Sequence, residues 1–166
     1  MKWKAVFYSF IAVFMAAGCA SRSNTPVPVA EHVDAIGVYD SRAVALAFLR
    51  TPCFMQVVHD MECRHCDQEL AEMKRMLLPQ VHSTAPVDNI LGYIGPRIPA
   101  VLETADVDLL VSKWDEASCR RYASASQVDV TMLLVAQFNP SRTLVADVLE
   151  TISFEPLEMD YVEALQ

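Results

Sequence analysis

Two spacings of apolar residues alternate along the chain. "AIGVY", residues 35–39, is a short β-type run, and the Ala-rich segment after it begins with Asp40 and Ser41. Either residue offers a side-chain oxygen to free helix amides, so the pattern predicts strand into helix. Pro52 suits the first turn of another helix, where its missing N–H costs nothing. From there the apolar or soft residues fall at Met55, His59, Cys63, Cys66, Leu70, Met73 and Leu77. Spacings of three and four predict one continuous helix carrying one stripe. Asp60, Arg64, Asp67, Gln68, Lys74 and Arg75 occupy its other faces. The pattern stops at Leu78-Pro79, and "STAPVDNIL" restarts it with Ser83 or Thr84 as cap and Pro86 in the first turn.

Gly92, Gly95-Pro96 and Pro99 then punctuate a second, interrupted helix. "VDLLVSKW" at 107–114 and "QVDVT" at 127–131 have strand character, and Thr131 is placed to cap "MLLVAQF". Asn139-Pro140 ends that helix and "SRTLVADVLETI" supplies a last one. There is no internal repeat. The fold class expected is α+β: a small antiparallel sheet with a short helical hairpin and C-terminal helices, spanning 35–166.

Composition agrees with one globular domain: 166 residues, 53% apolar and 20% charged. The N-terminus is different. Met1-Lys2-Trp3-Lys4 is a basic head, and the apolar run from Ala5 to Ala17 is too short to span a bilayer as a helix, so 1–18 reads as a secretory signal. Ala16-Ala17-Gly18-Cys19 resembles the lipobox of bacterial lipoproteins, which implies acylation of Cys19, although Ala16 stands where leucine is usual. Ala20 rather than Asp after the cysteine implies the outer membrane more than the inner one. Residues 19–34 read as lipidated cysteine and tether, reaching up to roughly 45 Å when extended. The net charge is −8, and it becomes −10 without residues 1–18, because Lys2 and Lys4 leave and no acid does. Such a domain repels phosphate backbones, which excludes nucleic acid as an expected partner.

"IGVYDSRAVALAF" and "VDLLVSKW...VDVTMLLVAQF", bracketing a helical hairpin, resemble an uncharacterised family of bacterial exported proteins, as does "STAPVDNIL". More distantly, the order resembles the core of the Skp/OmpH periplasmic chaperones, which implies a first strand feeding a helix, an antiparallel hairpin and two returning strands. The likeness covers most of residues 35–140. Skp-like chaperones are basic and cage clients between long helices; this chain is acidic and its hairpin is short and broken. The architecture is therefore expected without the chaperone action, and the resemblance supplies no catalytic residue.

"HDMECRHC", residues 59–66, carries three readings. His59, Cys63 and Cys66 at i, i+4 and i+7 point within a ~60° arc of one helix and could hold zinc or copper. The surrounding twenty or so residues resemble the H-x-x-x-C-x-x-C helix of zinc-containing anti-sigma factors, which hold it in the cytoplasm. A fourth ligand would be Cys53, His82, Cys119 or Met55. Asp67 stands where c-type haem attachment needs histidine. The redox reading makes 54–58 a strand, Cys63-Arg64-His65-Cys66 a thioredoxin-like motif and Ile98-Pro99 the proline facing it, with Glu62 where an aromatic residue is usual. The preferred reading is structural: Cys63 and Cys66 pack as small hydrophobes or form a disulfide on a buried stripe, with His59 at its margin. With Cys19 acylated, four thiols remain, and the expected bridges are Cys53–Cys119 and Cys63–Cys66.

The other candidates read as structural. His82 lies near a turn as a cap or surface residue, Asp108, Asp115 and Asp129 flank strands as solvated or capping acids, and Trp114 anchors a strand to the core. No Ser/His/Asp set, carboxylate pair or phosphate-cradling loop emerges, and the chain has four glycines. The function expected is a non-catalytic, lipid-anchored binding or assembly module of the periplasm-facing envelope. Its partners would be the membrane and either another protein or further copies of the chain. The alternative is a thiol oxidoreductase or metal-binding protein using His59, Cys63 and Cys66.

Overall fold

The computed structural model describes residues 33–64 and 66–164. The expected signal, Cys19 and nearly all of the tether lie outside them. Strand β1 (Ala35–Tyr39) passes directly into helix α1 (Ser41–Leu49). Asp40 is the N-cap and accepts from the Arg42 amide at 3.0 Å, whereas Ser41 is already helical. Ala43, Val44, Ala45 and Ala47 are fully covered, so α1 is a central helix whose small side chains let its neighbours approach closely.

Helix α2 (Pro52–Cys63) opens as expected with Pro52 in its first turn, and Thr51, which the sequence reading passed over, caps it by accepting from the Phe54 amide. It ends at Cys63. The Cys66 amide turns back to the Met61 carbonyl at 3.0 Å, the six-to-one bond of a Schellman-type stop. Helix α3 (Asp67–His82) then begins with Asp67 and Glu69 in its first turn, where acids suit the helix dipole. The single helix expected across 55–77 is therefore two, packed against each other. Its stripe is not buried: Met55 is 49% exposed and His59 and Cys63 are exposed, and only Met73 and Leu77 join the core.

Pro79 does not stop α3, because the last turn closes on its carbonyl, which accepts from both the amide and the hydroxyl of Ser83. Ser83 is thus a C-cap rather than the expected N-cap. Helix α4 (Asp88–Tyr93) has no side-chain cap, and the Gln80 amide group holds the turn before it by donating to the Pro86 carbonyl and the Asn89 side chain, both at 2.7 Å. A 3₁₀ turn (Gly95–Arg97) and helix α5 (Ile98–Ala105) follow, as the glycines and prolines implied.

Strand β2 (Leu109–Ser112), helix α6 (Glu116–Arg121) and strand β3 (Ser126–Asp129) come next. Helices α7 (Thr131–Ala136), α8 (Arg142–Ser153) and α9 (Met159–Ala164) complete the chain. Ser141 caps α8, accepting from the Leu144 amide. The core joins Tyr39 and Val130 at the sheet to Val44 and Ala47 of α1, Leu134 of α7 and Val148 of α8.

The molecule mixes helix and strand as expected, but its sheet is parallel and not antiparallel. The order is β2-β1-β3, with Ile36 opposite Leu109 on one side and Gln127 on the other. The physical reason is that both connections hold helices, α1 to α5 between β1 and β2 and α6 between β2 and β3. A pair of returning strands needs only a turn, but a helix between β2 and β3 makes their connection a crossover, which carries the chain to the far edge of β1. Gly37, at the sheet's centre, permits this packing: a Cβ there would lie 3.0 Å from Val130 and 3.1 Å from Val107.

Candidate functional site

Strand order reverses at β1, since β2 lies on one side and β3 on the other. In open parallel sheets such a switch point leaves a crevice at the carboxyl ends of the strands, where ligands bind. Here those ends carry Tyr39 and Asp40, Ser112 to Asp115, and Asp129 to Thr131.

Asp40 is almost wholly buried and fully used. Its amide donates to Thr131 Oγ1 at 3.0 Å. Its Oδ1 accepts from the Arg42 amide, from Arg42 Nε at 3.2 Å and from Trp114 Nε1 at 3.4 Å. Its Oδ2 meets Arg42 Nη2 at 2.8 Å and Lys113 Nζ at 2.7 Å. Burial alone would raise this carboxyl, but hydrogen bonds from Arg42 and Lys113 and their two charges hold it below the usual carboxylate range. Arg42 also donates from Nη1 to the Phe154 carbonyl at 2.9 Å, tying the end of α8 to the site. Lys113 Nζ lies 4.4 Å from the Trp114 ring centroid and the Arg42 guanidinium 5.2 Å, so the indole covers both cations. The buried Ser41 hydroxyl has no hydrogen-bond partner among the described residues.

Beside this network is a crevice of about 290 Å³, whose lining includes Tyr39, Thr84, Asp88, Ser112, Trp114 and Asp115. Neither Lys nor Arg lines it. Burial, then the charges of Asp88 and Asp115, push the Tyr39 phenol up to about 12. Asp115 caps α6, and hydrogen bonds from Ser118 and Ala117 hold its carboxyl below the usual range. The crevice thus combines two aromatic rings, two carboxylates and several hydroxyls.

The residues singled out in the sequence are scattered. Cys53 lies in the first turn of α2 and Cys119 in α6, where its thiol donates to the Ser112 carbonyl at 3.7 Å. Cys63, Cys66 and Cys119 are free thiols, so neither the Cys53–Cys119 nor the Cys63–Cys66 bridge is formed in the structure. Exposure of Cys63 overturns its placement on a buried stripe, and His59, expected at the margin of that stripe, is exposed as well. His59 Nε2 lies 3.6 Å from Cys63 Sγ, while Cys66, partly buried, points its sulfur to the Arg64 carbonyl. Among the described residues no three His, Cys, Asp or Glu side chains gather to hold a metal. The thioredoxin-like arrangement is contradicted: residues 54–58 are helical, and Cys63 ends a helix instead of opening one.

His82 ends α3 and is exposed. Asp108 accepts from the amides of Asp34 and Ala35, pinning the start of β1. Asp129 accepts from the Thr131 amide at 2.8 Å, so it does the capping expected of Thr131, whose hydroxyl serves Asp40 instead. Trp114 covers the ion network. The network itself went unread in the sequence. Its available signal was Arg42 in the first turn of an otherwise small and apolar helix, since a buried guanidinium needs a carboxylate. Comparison with protein-family models, with curated proteins and with solved structures finds no match for this chain.

Proposed function

We propose that this chain is a non-catalytic binding module of the bacterial cell envelope, tethered by acylated Cys19, which takes a small organic cation in the strand-end crevice. One observation carries the reading. The acid at the switch point is saturated by Arg42, Lys113 and Trp114, so it has no proton to exchange and no free lone pair for a reacting group. What remains open to a ligand is the crevice itself, with Asp88 and Asp115 in its lining. Two carboxylates in a crevice that neither lysine nor arginine lines favour positive charge. The antiparallel core implied by the Skp/OmpH resemblance is absent, so caging of clients forms no part of the proposal.

Of the chain's two tryptophans, Trp3 lies in the signal that acylation of Cys19 removes, so in the mature protein Trp114 is the only indole. Titrating that protein with putrescine should change Trp114 emission to saturation, and Asp88→Asn should weaken the response about tenfold. Sucrose of similar concentration should do nothing. Emission indifferent to putrescine, or a response unchanged by both Asp88→Asn and Asp115→Asn, overturns the reading.

A further inference from the structure

We propose that the segment running from the end of α8 into α9, residues 154–161, is a docking surface for a cationic amphipathic peptide segment of another protein, separate from the crevice. Its apolar side chains are turned to solvent. Phe154 is 63% exposed, Tyr161 58% and Leu157 42%. One exposed apolar residue needs no explanation, but three large ones close together in the chain and interleaved with charged groups mark a contact surface. Two of the three are aromatic, the type enriched where proteins meet.

The backbone of the segment is tied down while those side chains stay uncovered. Arg42 Nη1 donates to the Phe154 carbonyl at 2.9 Å, and the Leu157 amide donates to the His82 carbonyl at 2.8 Å. Farther along, Ser83 Oγ donates to Met159 Sδ at 3.2 Å and Val162 is buried. Anchored to α1 and to the end of α3, the surface has its shape before a partner arrives, which lowers the ordering cost of binding. Charge decides the occupant. Glu155, Glu158 and Asp160 are exposed between the apolar side chains. Residues 143–161 also hold Asp147 and Glu150 and contain neither Lys nor Arg. Arg42, which reaches the segment from α1, is buried and paired with Asp40. A second copy would set the same acids against these, and anionic lipid would be repelled. A peptide carrying Lys or Arg beside apolar residues answers both halves of the pattern.

The test uses the full chain with Cys19→Ser, to keep lipid out of the assay, and a labelled peptide built of Leu and Lys at helical spacing. Fluorescence anisotropy should show saturable binding that weakens as salt rises, because exposed charges are screened. The same peptide with Glu in place of Lys should not bind. Phe154→Ala and Tyr161→Ala should each weaken binding about tenfold, the cost of losing an aromatic anchor. Both side chains are exposed, so the urea midpoint should stay where it was. Glu155→Gln combined with Glu158→Gln should weaken binding and flatten its salt dependence. Equal binding of the Glu peptide, or Leu–Lys binding unchanged in both Phe154→Ala and Tyr161→Ala, overturns the proposal. So does either rival occupant: a dimer in sedimentation that Phe154→Ala breaks, or binding to phosphatidylcholine vesicles that Phe154→Ala removes.

Discussion

Asp40 is a helix cap by position and an ion-pair partner by environment. Its single carboxylate offsets two cations, Arg42 buried and Lys113 partly exposed. Asp40→Asn keeps the shape and leaves both cations unpaired, so it should cost about 3–5 kcal/mol in urea unfolding. Because the folded carboxyl titrates below its unfolded value, its stabilisation is present above the unfolded value and is lost as pH falls through the folded one. The unsubstituted protein should therefore lose stability below about pH 4, and Asp40→Asn should lack that component of the decline. Tyr39 works in the opposite sense. Its folded pKa is raised to about 12, so the stability it adds is full below the unfolded value near 10 and falls as pH rises toward 12. The loss should reach about 3 kcal/mol and be absent in Tyr39→Phe, with ultraviolet titration showing one tyrosine ionising late. Sequence showed Asp40 only as a cap, because Lys113 and Trp114 lie more than seventy positions away and local spacing carries no trace of such a meeting.

Among the elements, those set by local chemistry were legible. Asp40 caps the helix it precedes, Pro52 opens the next, and strands appear at both stretches read as strands. Three features were not. The stripe from Met55 to Leu77 repeats at three and four, and that rhythm fits two helices with a stop between them as well as it fits one. Helix α6 was missed because its six residues, Glu-Ala-Ser-Cys-Arg-Arg, are too few to show an apolar period. Without it β2 and β3 read as a returning pair, so the direction of the sheet was wrong. Gly37 follows from the same geometry: its lack of a side chain admits Val107 and Val130 against the central strand. Gly37→Ala should destabilise the protein by about 1–3 kcal/mol, measured by denaturant unfolding, and adding Val130→Ala should restore part of the loss.

For the whole molecule, the pieces form a domain whose polar chemistry gathers at one end of a parallel sheet. The acid charge of the chain reaches the crevice as Asp88 and Asp115, while the basic residues nearest it are spent on Asp40. A tether and lipid at Cys19 would present that crevice at a distance from the membrane. Cys19→Ser should move the protein from the membrane fraction to the soluble one, since two or more acyl chains anchor far more strongly than an acidic surface can. That change should leave the crevice untouched.

The most direct test of the crevice is a map of backbone amide shifts in ¹⁵N-labelled protein titrated with putrescine. Saturable shifts should centre on Tyr39, Asp88 and Ser112 to Ser118, with the outer turns of α8 silent. Shifts that never saturate, or that gather on α8 and α9 while the strand ends stay still, would contradict a binding site at the switch point.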